Sequence, residues 1–217
     1  GRVMIVGDVH GCCDELEELL RLHHKEGDLL ILAGDLVNKG PKSVEVVRLA
    51  RRMNAMAVVG NHEISSLRGY FARSGGKVKD VEEKYEWTDG LCVEDVEFIR
   101  SLPFTISIPS YNVIVVHAGL VPDLSLAEQD HRHMVTMRNL RVCNAGEEES
   151  ETCRTRYEAL ELDDGVSEPW AALWKGPSHV YFGHDAKRRL QLYKHATGLD
   201  TGCLYGDRLS AAILERG

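Results

Sequence analysis

The sequence predicts an α/β fold built around a parallel β-sheet. Two patterns carry this expectation: strand-like and helix-like runs alternate through the first 63 residues, and strand-like runs return towards the end of the chain. Alternation of this kind implies right-handed β-α-β crossovers, which lay helices over the faces of a parallel sheet. A chain of 217 residues suits one domain, 1–217, able to bury a sizeable core without staples.

Arg2–Gly7 is a short β-branched run that closes on a glycine. Cys12–Lys25 puts Leu16, Leu19, Leu20 and His23 on one helical face, with acidic residues near its start, where the helix dipole favours them. Leu29–Gly34 reads as a second strand. Pro41 then opens a helix where its missing N–H costs nothing, followed by Val44, Val47 and Ala50 at helical spacing. Ala57–Gly60 is the third strand. Ile64 to Pro109 is more helical and more polar, and the segment 64–110 is expected to be a cap inserted within the domain. Asn112–Gly119 resumes the strand signal. Ser125–Ser167 is expected to be helical in parts, with the acidic run Glu147–Glu151 in a solvated loop. His179–Gly183, Leu190–Tyr193 and Leu209–Leu214 are expected to form a second sheet.

Hydrophobic residues make up 43% of the chain and charged residues 28%, a globular composition rather than a disordered one. The 26 basic residues against 34 acidic ones give a net charge of −8, which argues against a broad nucleic-acid-wrapping surface but leaves room for a local basic pocket. The longest apolar runs fall far short of the ~18 residues of a membrane span. The six cysteines form no CxxC pair, and adjacent Cys12 and Cys13 make a poor disulfide. These features point to a reduced, intracellular and cytoplasmic protein whose cysteines are small buried hydrophobes.

The turns after the strands carry the chemistry. They read Gly7-Asp8-Val9-His10-Gly11, Gly34-Asp35-Leu36-Val37-Asn38-Lys39-Gly40, Gly60-Asn61-His62-Glu63, His117-Ala118-Gly119 and Gly183-His184. Ligand sites in parallel sheets lie at the carboxyl ends of the strands, so these turns should converge. Asp8, His10, Asp35, Asn61, His117 and His184 offer two carboxylates, one amide oxygen and three imidazoles. That mixture suits Mn²⁺, Fe²⁺ or Zn²⁺ better than an all-oxygen magnesium cage or a thiolate zinc site. Six donors exceed the need of one ion with open positions, and one bridging carboxylate would let them hold two.

The ordered motifs GDVHG, GDLVNKG, GNHE, HAG and GH resemble those of the calcineurin-like metallophosphoesterases, within the phosphoprotein-phosphatase superfamily. The resemblance runs from Asp8 to His184. It implies a four-layer metallophosphoesterase sandwich of two mixed sheets flanked by helices, with two divalent ions, Mn²⁺ foremost, at one edge. Asp8 and His10 would hold the first metal, Asp35 would bridge, and Asn61, His117 and His184 would hold the second. His62 would be the general acid, and a hydroxide bridging the metals would attack phosphorus in line.

The chain departs from the protein phosphatases where their GDxVDRG becomes GDLVNKG. Asn38 cannot supply the negative charge that keeps a histidine protonated, and Lys39 replaces a bidentate guanidinium with a point charge. GDLVNKGP, Met134–Leu140, Trp170-Ala171 and Leu199-Asp200-Thr201-Gly202-Cys203 are similar instead to the ApaH-like phosphatases, relatives of the symmetrical diadenosine tetraphosphate hydrolases. That likeness implies that Arg138 grips the phosphate, with Lys39 and Asn38 beside it. The expected activity is hydrolysis of a phosphoanhydride in a dinucleoside polyphosphate, a related nucleoside polyphosphate or a capped RNA. A serine/threonine phosphoprotein phosphatase and a non-catalytic binding module are the alternatives, and a nucleic-acid phosphodiesterase a weaker one. His131 and His133 read as exposed residues, Lys187-Arg188-Arg189 as mainly a solvated face, and Glu63 as a helix opener. Trp87, in the polar insert, is the tryptophan placed to stack on a base.

Overall fold

The computed structural model describes residues 1–75, 83–143 and 156–215. The first half runs β1 (Val3–Val6), α1 (Cys13–His23), β2 (Leu29–Leu32), α2 (Ser43–Arg52), β3 (Met56–Ala57), α3 (Asn61–Ser74), α4 (Val93–Ser101), β4 (Thr105–Ile108) and β5 (Val113–Val116). The second half adds α5 (His131–Thr136), β6 (Asn139–Val142), β7 (Tyr157–Leu160), β8 (Glu168–Pro169), α6 (Trp170–Leu173), β9 (His179–Phe182), β10 (Gln191–Leu192), β11 (Ala196–Gly198) and β12 (Ala211–Leu214).

One sheet has the order β12-β1-β2-β3, the other β10-β11-β9-β5-β4, and β7-β6-β8 make a small third one. In the first, β1, β2 and β3 are parallel and β12 runs antiparallel to β1; in the second, parallel and antiparallel pairs alternate outward from β9. Both main sheets are therefore mixed. Their strands alternate strictly. Val3, Ile5 and Ile31 pack with Ile106, Ile108, Val113 and Val115 between the two sheets. Met4, Val6, Leu30 and Leu32 face the other way, against Leu16 and Leu20 of α1 and Val46, Val47 and Ala50 of α2. Beyond the second sheet, Val180 and Phe182 of β9 meet Trp170 and Ala171 of α6 and Met134 and Met137. Helices, sheet, sheet and an outer layer of short helices with the small sheet give the four layers, each interface fixed by the period-2 pattern.

The structure corrects several expectations. Leu209–Leu214 does not join the second sheet: β12 pairs with β1, because β1 is buried on both faces and needs a hydrogen-bonding neighbour on each edge. The 125–167 stretch is helical in part, as expected, at His131–Thr136, but among its described residues it also carries β6 and β7, which alternate too weakly to read from sequence. The 64–110 segment contains β4, a strand of the second sheet, as well as α3 and α4. Pro41 stands two residues ahead of α2. Glu147–Glu151 lies outside the described residues. Cys12, Cys13 and Cys203 are free and buried as expected, whereas Cys92 is free but exposed and Cys143 is disulfide-bonded, which corrects the expectation of buried thiols throughout. Core size governs the main sheets; Cys143 follows β6 in the peripheral sheet, where Arg141 and Val142 are exposed and packing contributes little. Among the described residues no helix is long and apolar enough to cross a membrane.

Candidate active site

The carboxyl ends of the parallel strands of both sheets meet along one seam. From the first sheet come Asp8 and His10 after β1, Asp35 after β2 and Asn61 after β3; from the second come His117 after β5, His184 after β9 and Asp200 after β11. Hydrogen bonds tie the seam. His184 N donates to both carboxylate oxygens of Asp8 at 3.0 Å, and His117 Nδ1 donates to Ala33 O at 2.9 Å. The backbone is bent to achieve this. Of nine non-glycine residues with positive φ among those described, His10, Asp35, Lys39, His184 and Arg189 line one cavity, and Asn38 adjoins it. Such strain persists where the surroundings over-determine it, and it clusters at functional sites. A methyl group at Gly183 would overlap Asp8 Oδ1, and one at Gly60 would overlap Asp35 Oδ1, so both turns must lack a side chain.

The imidazoles are oriented from behind. His10 Nδ1 donates to Val37 O (3.2 Å) and His184 Nε2 to Thr136 O (3.0 Å), so each turns its lone-pair nitrogen away from that carbonyl. A carbonyl anchor of this type is what fixes the tautomer of a metal-ligating histidine. Burial, with His117 and Arg138 close by, holds His184 well below the usual imidazole range, and burial lowers His10, so both stay neutral. His117 differs: Nδ1 faces Ala33 O, while Nε2 faces Asp35 Oδ1 at 3.4 Å and Asn61 Oδ1 at 3.2 Å. Burial opposes its charge, yet Asp35 outweighs burial and lifts it to about 10. The acceptors that draw a proton onto Nε2 are those that a divalent ion would satisfy. Asp35 offers carboxylate oxygens to two donor groups, His10 with His62 and His117 with His184, each with its donor atoms within 4.8 Å of one another. Asp8 and Asp200 complete a buried acidic surplus: burial first, then their mutual repulsion in the case of Asp8, pushes both carboxyls up. The donors fit two divalent cations.

His62 belongs to a different class from the three ligand-like histidines, although it sits 4.0 Å from Asp35 Oδ2. Its Nδ1 is 3.1 Å from Asn38 Nδ2. Asn38 Oδ1 accepts from the Lys39 N–H at 3.0 Å, so the amide must present its NH₂ to His62. Nδ1 is thus an acceptor, and the proton of the neutral ring lies on Nε2. Burial, with Lys39, His10 and His117 nearby, depresses His62 to about 4 against the pull of Asp35.

Glu63 does more than open α3. It is fully buried, and its carboxylate accepts from the N–H groups of Asp35 (2.8 Å), Leu36 (2.8 Å), Val37 (3.2 Å) and Gly60 (2.8 Å). Burial and the Asp35 charge push this carboxyl up to about 7, against four donors that favour the anion. One side chain therefore locks the turn after β2 to the turn after β3. Glu63→Gln would aim an NH₂ at two of these donors. It is expected to cost about 2–4 kcal/mol, seen as a fall of roughly 5–15 °C in Tm. An unchanged melt would refute the locking role.

The cavity at the seam measures about 320 Å³ and is rimmed by Lys39, Arg138, Lys187 and Arg189. Arg138 is held by Glu161 O (2.9 Å) and His184 O (3.3 Å), and Asp185 lies 3.7 Å from its Nε. Two members of the 187–189 run therefore face the site, while Arg188 turns to Asp185 and Asn139. Trp87 is not at the site; it packs against the α1–α2 core, because its helical turn lies over that layer. Asp200 and Tyr205 also line the cavity, and the sequence reading gave neither of them a role there. Asp200 had a signal: like Asp8 after β1, it is an acid two residues past the end of a parallel strand, β11.

A buried set of carboxylates and imidazoles, ringed by cations, at the edge of a two-sheet sandwich defines a metal-dependent phosphoester hydrolase. The chain belongs to the calcineurin-like phosphoesterases, whose family model matches residues 1–199. That family implies a centre of two metal ions. The chain is 29% identical to the asymmetrical bis(5'-nucleosyl)-tetraphosphatase PrpE of Halalkalibacterium halodurans, over 95% of this chain and 87% of that protein. It is 28% identical to the symmetrical bis(5'-nucleosyl)-tetraphosphatase of Actinobacillus pleuropneumoniae, over 95% and 93%. A crystal structure of a protein provisionally named a diadenosine tetraphosphatase superposes with a TM-score of 0.84 at 40% identity, covering 99% of this chain and 89% of that one.

Proposed function

We propose that this enzyme hydrolyses a phosphoanhydride bond of dinucleoside polyphosphates, with diadenosine tetraphosphate as the type substrate. Asp8, His10 and Asp35 would hold one divalent ion, and Asp35, Asn61, His117 and His184 the other, with Mn²⁺ the expected metal and Fe²⁺ or Zn²⁺ suited to the same donors. The bound ions supply Lewis acidity and an activated water. Lys39, Arg138, Lys187 and Arg189 would take the phosphate oxygens.

One observation carries the choice of bond: Asn38 donates to His62 Nδ1. A neutral imidazole that offers only Nε2–H can hydrogen-bond a departing oxygen but is a poor source of a full proton. A nucleotide leaves through a phosphate oxygen whose conjugate acid has a pKa of about 6, and needs none. A serine or threonine alkoxide is a far worse leaving group and needs an acid. The arrangement favours the anhydride over the phosphomonoester of a protein. The cavity's cationic rim suits a polyphosphate chain, and the nucleotidase names of the relatives agree.

A side-by-side turnover assay with Mn²⁺ tests the reading, using diadenosine tetraphosphate, a 5′-capped RNA and a phosphothreonine peptide. Two ADP per diadenosine tetraphosphate, with little phosphate released from the peptide, is the expected result. ATP plus AMP would move the cut within the same anhydride class, and efficient release from the peptide alone would overturn the reading. Asn38→Asp, which can hold His62 protonated, is expected to raise the peptide-to-anhydride rate ratio on the order of 10-fold. An unchanged ratio would show that Asn38 does not set the leaving-group preference.

A further inference from the structure

A second cavity, of about 590 Å³, adjoins the metal cavity, and Asn61 lines both. Its distinguishing feature is a stack of two rings. Phe104, just before β4, and His131, the first residue of α5, lie parallel within 3°, with centroids 4.0 Å apart. Phe104 is partly buried against the core beyond the second sheet, while His131 is exposed. Arg68 of α3 faces the same cavity and makes no hydrogen bond or ion pair among the described residues; Arg132 is spoken for by Glu161 at 2.7 Å. The cavity thus joins a flat aromatic platform, pinned from below, to an unpaired cation, and it opens beside a residue expected to touch metal.

That combination has a specific chemical match. The volume falls in the range of small-molecule sites, roughly 300–1,000 Å³. Every nucleobase presents a π-face that stacks on an aromatic ring, and a ring already held by another ring loses little freedom in receiving it. A base seated on His131 would send its ribose and phosphates past Arg68 towards Asn61 and the seam. We infer that this cleft is the subsite for one nucleoside of the substrate, its base stacked on His131, an inference that rests on the reading of the substrate as a nucleoside polyphosphate. Specificity for a nucleotide over a bare polyphosphate then comes from α5 and the approach to β4, not from the metal turns.

The experiment compares AMP with ribose 5-phosphate, which differ only by the base, by calorimetric titration of the Mn²⁺-loaded protein. AMP is expected to bind on the order of 10-fold more tightly to the wild type. His131→Ala should erase this preference and His131→Phe should keep it. Equal affinities in the wild type, a preference that survives His131→Ala, or one lost in Tyr205→Ala instead would each overturn the subsite. Turnover of diadenosine tetraphosphate is read separately: a wild type that binds AMP through His131 but leaves the dinucleotide intact would support the subsite and sink the proposed function.

Discussion

Asp35→Asn is expected to abolish metal binding and hydrolysis while leaving the fold intact. Asp35 is 2% exposed, its carboxylate faces both donor groups, and one of its oxygens also accepts from the His62 backbone N–H at 3.0 Å. Burial alone would push such a carboxyl up, yet His117, His10 and His62 hold it well below its ordinary range, so it is a fixed anion. An amide of the same shape keeps one acceptor but removes the charge that pulls two cations together. Loss of the several kcal/mol that metal ions contribute to charge stabilisation corresponds to roughly 10³-fold or more in turnover. Metal content by elemental analysis, circular dichroism and turnover of diadenosine tetraphosphate check the three parts. Wild-type metal content in the variant would remove Asp35 from its shared position.

His62→Asn should behave differently, with metal content kept and turnover down about 10²–10³-fold, the usual effect of removing one preorganised donor. The sequence resemblance assigns His62 a general-acid role, whereas the function proposed above, from the Asn38 contact, would have it act as a neutral donor. The two roles separate on a series of substrates with graded leaving groups. For a neutral donor the loss should stay nearly constant along the series. A loss that grows steadily as the leaving group worsens would restore the general acid.

Much of this was legible in the residues. β1, α1 and β2 follow directly from Val3–Val6, Leu16 with Leu20, and Leu30–Leu32, whose periods announce both element type and buried face. The turns that follow strands carry their ligand side chains in plain view. Long-range pairing was less legible. Nothing local in Ala211–Leu214 says which sheet it joins, since the choice depends on the unfilled edge of β1, at the other end of the chain. The same holds for side chains that act across the fold. Glu63 looks like an ordinary first-turn acid until Leu36 and Val37 are brought against it, and His131 looks like a surface residue until Phe104 arrives beneath it. Chemistry that sits on one turn can be read from a string of letters, but chemistry shared between turns needs the seam.

The seam itself has a consequence for the life of the protein. Donors from both sheets converge there, so an ion bound at the site would also act as a rivet across the sandwich. By mass action, a ligand present at 100 times its Kd and bound only by the folded form adds about 2.7 kcal/mol. Chelation would then lower the unfolding temperature as well as the activity, and a cell short of the metal would lose copies of the enzyme to proteolysis along with their turnover.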